Sequence, residues 1–125
     1  MVNQILFGEQ YKILEQRKKF SRIRLSHDKY EGWICNKQVN EVDKEIFKNL
    51  LSAKKIYTTD ILDIIKSDSF QTIVLGSILP DLNKCKFSIS SNTYSFEGEW
   101  SYKYIDKQMI VENAMMFLNT PYLWG

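Results

Sequence analysis

The residue types that could carry catalysis are few and scattered in this chain. Its single histidine, His27, stands beside Asp28 in a stretch that reads as a turn. Its two cysteines, Cys35 and Cys85, each fall in a segment that reads as a strand, where a small buried hydrophobe is the default. A thiol nucleophile needs a base within hydrogen-bond reach, and sequence alone does not bring His27 to either sulfur. No CxxC or other metal-ligand spacing occurs. A P-loop, GxGxxG, GxSxG and HExxH are all absent. The carboxylates form no acid–base pair that can be argued from spacing. The residues alone therefore describe a small β-rich domain with helices and no self-contained catalytic site, metal site or cofactor site.

The bulk properties fit that description. The chain has 125 residues and is 44% hydrophobic, enough for a real core. Seventeen basic residues face fifteen acidic ones, a formal +2, which is too mild to imply nucleic acid or membrane as a partner. Arg17, Lys18, Lys19, Arg22 and Arg24 do cluster, either as a solvated strand face or as an anion-binding patch. No run reaches the roughly 18 apolar residues of a membrane span. No basic stretch followed by an apolar core opens the chain, so no signal peptide is visible and reduced thiols in the cytoplasm are expected.

The elements that would position a site follow from periodicity. Gln4 to Glu9 is an apolar run broken by Gly8, and Tyr11 to Glu15 alternates. Phe20 to Leu25 is the clearest strand, with Ile23 and Leu25 on one face and Arg22 and Arg24 on the other. Glu15 to Lys19 reads as a hairpin loop, and Asp28 to Gly32 as a turn before Trp33-Ile34-Cys35. Asp43 is the predicted N-cap of a helix whose Ile46, Phe47, Leu50 and Leu51 form one apolar stripe. A second short helix is predicted after Thr59, burying Ile61, Leu62, Ile64 and Ile65. Strands resume at Thr72 to Gly76, Lys84 to Ile89 and Tyr94 to Glu97, with Ser90 to Thr93 as a tight turn. A last helix is predicted from an Asp106 N-cap, with Met109, Ile110, Ala114, Phe117 and Leu118 on its apolar face and Met115 and Met116 as core filler. Asn119-Thr120-Pro121 ends it.

Three segments carry a family resemblance. Gln4-Ile5-Leu6-Phe7-Gly8-Glu9 with Tyr11 to Glu15 resembles the opening strands of a bacterial SH3 domain, and Tyr30-Glu31-Gly32-Trp33-Ile34 resembles its closing Y-x-G-W-I. Asn119-Thr120-Pro121-Tyr122-Leu123-Trp124-Gly125 resembles the approach to the catalytic domain of NlpC-type cell-wall cysteine peptidases, the γ-D-glutamyl–L-diamino acid endopeptidases of dipeptidyl-peptidase VI type. The stretch from Val74 to Ser77 and from Lys84 to Gly98 resembles the part these proteins place between the two. Such enzymes use a Cys thiolate, a His base and a polar orienting residue. Their SH3 domain walls off one end of the cleft and admits only murein peptides with a free N-terminal L-alanine.

The resemblance implies a β-rich α+β fold: an SH3-like unit over 1–38, a helical connector over 39–68, a second small SH3-like unit over 69–104, and over 105–125 a helix and the start of a catalytic domain. Neither the Asp-Cys-Ser-Gly nucleophile segment nor the catalytic histidines occur here, so the chain is expected to be inactive alone and to partner a catalytic domain. A first SH3 strand before Gln4 is also expected and not found, and the open edge this leaves invites pairing with another copy. Carried over by residue, Tyr30, Tyr122 and Trp124 are the expected substrate contacts. Tyr30 could instead be a packed turn residue, and Tyr122 a helix-end packing residue. Trp33 is expected in the core. The implied function is the substrate-gating and targeting region of a murein-peptide endopeptidase. The alternative is a stand-alone SH3-like module that binds cell-wall peptide or a protein.

Overall fold

The computed structural model describes residues 3–102 and 107–121. Its regular elements are mostly short strands. Tyr11–Gln16 (β1), Phe20–Leu25 (β2) and Glu31–Cys35 (β3) form an antiparallel meander in the order β1-β2-β3. A 3-10 turn over Asn36–Gln38 leads to the helix Lys44–Ser52 (α1). Then come Lys55–Thr58 (β4), Leu62–Lys66 (β5), Phe70–Val74 (β6), Ile78–Pro80 (β7), Lys86–Ile89 (β8), Asn92–Ser95 (β9) and Trp100–Ser101 (β10). These make one sheet in the order β10-β4-β7 and another in the order β6-β5-β9-β8. Lys107–Met115 is a second helix (α2). The fold is thus β-rich α+β with three small open sheets, and no closed barrel forms among the described residues.

In the first sheet, alternation decides which face is buried. Ser21, Ile23 and Leu25 are buried while Phe20, Arg22 and Arg24 point out. Asn36 ties the meander together. Its side chain accepts from the Ser21 hydroxyl at 2.8 Å and donates to the Arg17 carbonyl at 2.8 Å, which locks the hairpin turn against the end of β3. This satisfies the buried Ser21 hydroxyl, which would otherwise be costly. α1 begins where Asp43 accepts from the Ile46 N–H at 2.8 Å, as the sequence predicts. Asp43→Ala should remove about 1 kcal/mol of stability. Asp43→Asn should retain most of it, and urea unfolding of the two variants would separate these outcomes.

The main core lies in the second half. Ile56, Ile65, Ile73, Leu79, Phe87, Tyr94 and Phe96 form one buried cluster. Two buried polar residues sit beside it, and both are satisfied. Thr58 donates its hydroxyl to the Val74 carbonyl at 2.8 Å, and the Ser77 hydroxyl accepts from the Val74 N–H at 3.3 Å.

Five expectations are corrected. Gln4 to Glu9 is not a strand of the first sheet. Leu6 to Glu9 form a turn, with the Leu6 N–H donating to the Glu9 carboxylate at 2.8 Å. The turn docks onto the second half, where the Ile78 N–H donates to the Phe7 carbonyl at 2.8 Å. The Phe7 ring meets Phe87 and Tyr94 edge-on, at 6.1 and 5.7 Å between centroids. Second, no helix follows Thr59. Leu62–Lys66 is a strand that buries Ile65 and exposes Leu62 and Ile64, because apolar residues two apart point the same way in extended chain. Third, Trp33 is not core. It lies opposite Arg22 on the outward face and is 44% exposed, with Arg17 stacked 4.4 Å from its ring. Fourth, Cys85 is exposed in a turn at φ 62° rather than buried in a strand, and both thiols are free. Fifth, Met109, Ile110 and Met115 of α2, and Met116, Phe117 and Leu118 in the turn after it, are exposed, so Met115 and Met116 are not the core filler expected. The Asp106 N-cap lies outside the described residues. No helix among those described is long and apolar enough to cross a membrane.

Candidate functional groove

The inner face of the first sheet, the apolar stripe of α1, the 3–10 segment and part of the β6-β5-β9-β8 sheet surround a broad groove of about 1470 Å³. Its apolar walls include Ile13, Ile23, Leu25, Phe47, Leu50, Ile89 and Tyr94. Of the stripe predicted for α1, Phe47 and Leu50 line the groove and are only half-buried, while Ile46 and Leu51 do not line it. The volume exceeds the range of about 300–1,000 Å³ usual for small-molecule sites.

Strand register brings two tyrosines to one end of this groove. Tyr11 of β1 pairs with Leu25 of β2, and the Leu25 N–H donates to the Tyr30 carbonyl at 2.9 Å. Tyr11, Leu25 and Tyr30 therefore form a row across the sheet, and all three line the groove. At one strand spacing per step, the two tyrosine backbones lie about 10 Å apart. Asp28 fixes the entry to Tyr30 by accepting its backbone N–H at 2.9 Å. The Tyr30 ring lies across Gly32, whose absent Cβ would stand 3.3 Å from Cε1. Gly32 pairs with the buried Ile23, so the ring rests on the groove side. It is 42% exposed, which leaves it open to a ligand.

Tyr11 is the better-defined polar group. Burial pushes its phenol above the ordinary value of 10.0, and the Glu41 carboxylate adds to the rise, while the Asn40 backbone N–H opposes it. The neutral phenol can donate one hydrogen bond and accept another. Because its folded value is raised, its contribution to stability is intact below the ordinary phenol range. It is lost as pH climbs through the raised value. A spectroscopic titration of the phenols should show a late-ionising tyrosine that disappears in Tyr11→Phe. A titration unaltered by that substitution would contradict the burial.

Of the three expected contacts, Tyr30 lines the groove, while Tyr122 and Trp124 lie outside the described residues. Tyr11 and Glu41 were not singled out by sequence reasoning. Tyr11 shares a face with Ile13 by simple alternation, which was a usable signal. Glu41 carried none, because it reaches the groove only through the path taken after the 3-10 turn. His27 and Cys35 are no dyad. Cys35 pairs with Phe20 at one end of β2, and His27 follows the other end, roughly 17 Å along the strand. No group of three or more His, Cys, Asp or Glu able to hold a metal occurs among the described residues.

Residues 1–39 match the family described as the bacterial dipeptidyl-peptidase Sh3 domain. No curated protein and no solved structure matches the chain. The match covers β1, β2 and β3 together with the docked residues 3–10, which form one wall of the groove and carry Tyr11 and Tyr30. It supports a peptidase-associated binding region of bacterial SH3 type.

Proposed function

We propose that the chain is the non-catalytic, substrate-gating region of a murein-peptide cysteine endopeptidase that cuts γ-D-glutamyl–diamino acid bonds. The observation that carries this reading is the place of Tyr30. The tyrosine of the Y-x-G-W segment, inside the family-matched stretch, lies over Gly32 on the groove side and remains open to a ligand. The proposed ligand is a peptide with a free N-terminal L-alanine. Its ammonium needs acceptors, and the Glu41 carboxylate and the phenol oxygens of Tyr11 and Tyr30, all lining the groove, are the candidates. Blocking the amine removes the charge and adds bulk, so a site built this way rejects longer peptides. Catalysis would come from a separate domain that carries a thiolate and its base. Tyr122 and Trp124 are proposed to border the same cleft.

The test is titration of the chain with L-Ala-γ-D-Glu-diaminopimelate and its N-acetylated form, followed by NMR. A gating wall alone should bind the free peptide at about millimolar Kd, roughly 4 kcal/mol. Shifts should be centred on Tyr11, Tyr30 and Glu41, and Tyr30→Phe should weaken binding about three- to tenfold. Equal affinity for both peptides, or shifts remote from these residues, would refute the reading. Micromolar affinity would favour a stand-alone binding module.

A further inference from the structure

The outer edge of β6 is unpaired, and its own residues do nothing to protect it. Sheet edges expose N–H and C=O groups that pair with other chains, and proteins blunt them with charges, proline, bulges or short strands. The other edges of the three sheets carry such devices. β1 has a bulge between Ile13 and Glu15, β3 holds Glu31, β10 has only two residues, and β8 begins at Lys86. β7 ends at Pro80 and is covered where the Ile78 N–H donates to the Phe7 carbonyl. β6 reads Phe-Gln-Thr-Ile-Val, without charge or proline, and pairs with β5 in unbroken register.

Hydrogen-bond parity shows which β6 groups face outward. The Leu75 N–H donates to the Ile61 carbonyl at 3.3 Å, and the Ser67 N–H donates to the Ser69 carbonyl at 3.0 Å. The odd-numbered residues of β6 therefore bond to β5, while Phe70, Thr72 and Val74 point their backbone groups away from it. Val74 is closed off, because its N–H donates to the Ser77 hydroxyl at 3.3 Å and its carbonyl accepts from the Thr58 hydroxyl at 2.8 Å. Phe70 and Thr72 have no backbone partner on this side among the described residues. Their side chains share a face with Leu62 and Ile64, and Phe70 is 73% exposed.

We propose that β6 pairs antiparallel with β6 of a second copy, about a two-fold axis through Gln71. Phe70 then stands opposite the partner's Thr72, and Thr72 opposite the partner's Phe70. The four free groups of each copy are all satisfied, in four hydrogen bonds. An axis through Thr72 would set Phe70 against the closed Val74 and keep only two. Each row across the joined sheet reads Ile64, Thr72, the partner's Phe70 and the partner's Lys66. The exposed ring thus packs on a threonine beside an isoleucine, a favourable cross-strand pair. The two Gln71 amides face each other across the axis and can exchange hydrogen bonds. Gln71 lines the groove, so the partner adds a residue to its rim. Any strand can pair with the backbone; a second copy is favoured because it brings the same two-residue free edge and an equally exposed Phe70. The far edge of this sheet is the lysine-bearing β8, so the pairing closes as a dimer and does not grow into a fibre. The contact buries on the order of 1,000 Å² in total, the lower end for a specific interface, so the dimer is weak. It does not depend on the gating reading above.

The experiment is sedimentation velocity of the chain over about 5–500 µM, where the sedimentation coefficient should rise from monomer to dimer with a midpoint on the order of 10–100 µM. Thr72→Pro removes only an outward N–H, which an edge strand tolerates, and should weaken the dimer about tenfold or more. Phe70→Lys puts a charge on the edge and should weaken it about as much. Both should melt within about 5 °C of the parent by circular dichroism. Ile110→Lys, on the exposed α2, should leave the midpoint within about twofold. With Cys35→Ser and Cys85→Ser in place, Gln71→Cys should form a disulfide-linked dimer under mild oxidation, because its Cα would lie about 4.5 Å from the partner's. A monomer at every concentration, a dimer undiminished by Thr72→Pro and Phe70→Lys, loss of the dimer in Ile110→Lys alone, or failure of Gln71→Cys to cross-link would each overturn the proposal.

Discussion

Gly8→Ala is expected to remove about 3 kcal/mol or more of stability, a large share of what a domain of this size holds. Two independent costs add at this position. Gly8 has φ 82°, in the left-handed region that an alanine enters only at a cost of roughly 1–2 kcal/mol. A Cβ there would also collide with the carbonyl oxygen of Ile78, which is backbone and has no rotamer to escape into. Relief would require the Leu6 to Glu9 turn to leave β7, breaking the bond from the Ile78 N–H to the Phe7 carbonyl. Gly32→Ala is the control. Its Cβ would meet only the edge of the Tyr30 ring, at 3.3 Å, and that ring can swing aside. It should cost less than about 1 kcal/mol. Equal denaturation midpoints for Gly8→Ala and the parent would show that the turn is not docked.

Phe96→Ala should be the costliest core truncation, at about 3–5 kcal/mol. Phe96 is 2% exposed and sits in the single large cluster with Ile56, Ile65, Leu79 and Phe87. Its backbone N–H is held by the Cys85 carbonyl at 2.9 Å, so the chain cannot slide in to refill the space. A domain of this size holds only about 5–15 kcal/mol in total. The loss should therefore appear as a large fall in melting temperature, with Phe96→Leu falling much less. A shift no greater than that of an exposed substitution such as Leu62→Ala would contradict the assigned core.

Strand alternation was legible wherever one face is buried and the other wet. Phe20 to Leu25 reads correctly because charge and apolarity alternate at period two, and the Asp43 cap reads correctly because it is a local bond. Ile61, Leu62, Ile64 and Ile65 misled because their spacing also fits a short helix; only pairing with β6 reveals a strand with one inward residue. Trp33 was expected in the core, whereas register set it opposite Arg22 on the outward face.

The sequence by itself determined the β-rich class, the first meander, the α1 cap and Tyr30 as a candidate contact, since each depends on residues close along the chain. Tertiary structure alone decided that Leu6 to Glu9 leave the first sheet to dock on the second half, and that the chain forms open sheets around a groove. It also decided that Tyr11, Leu25 and Tyr30 stand in one row. Those outcomes depend on contacts between distant segments, and periodicity carries no information about which distant partner a face will meet.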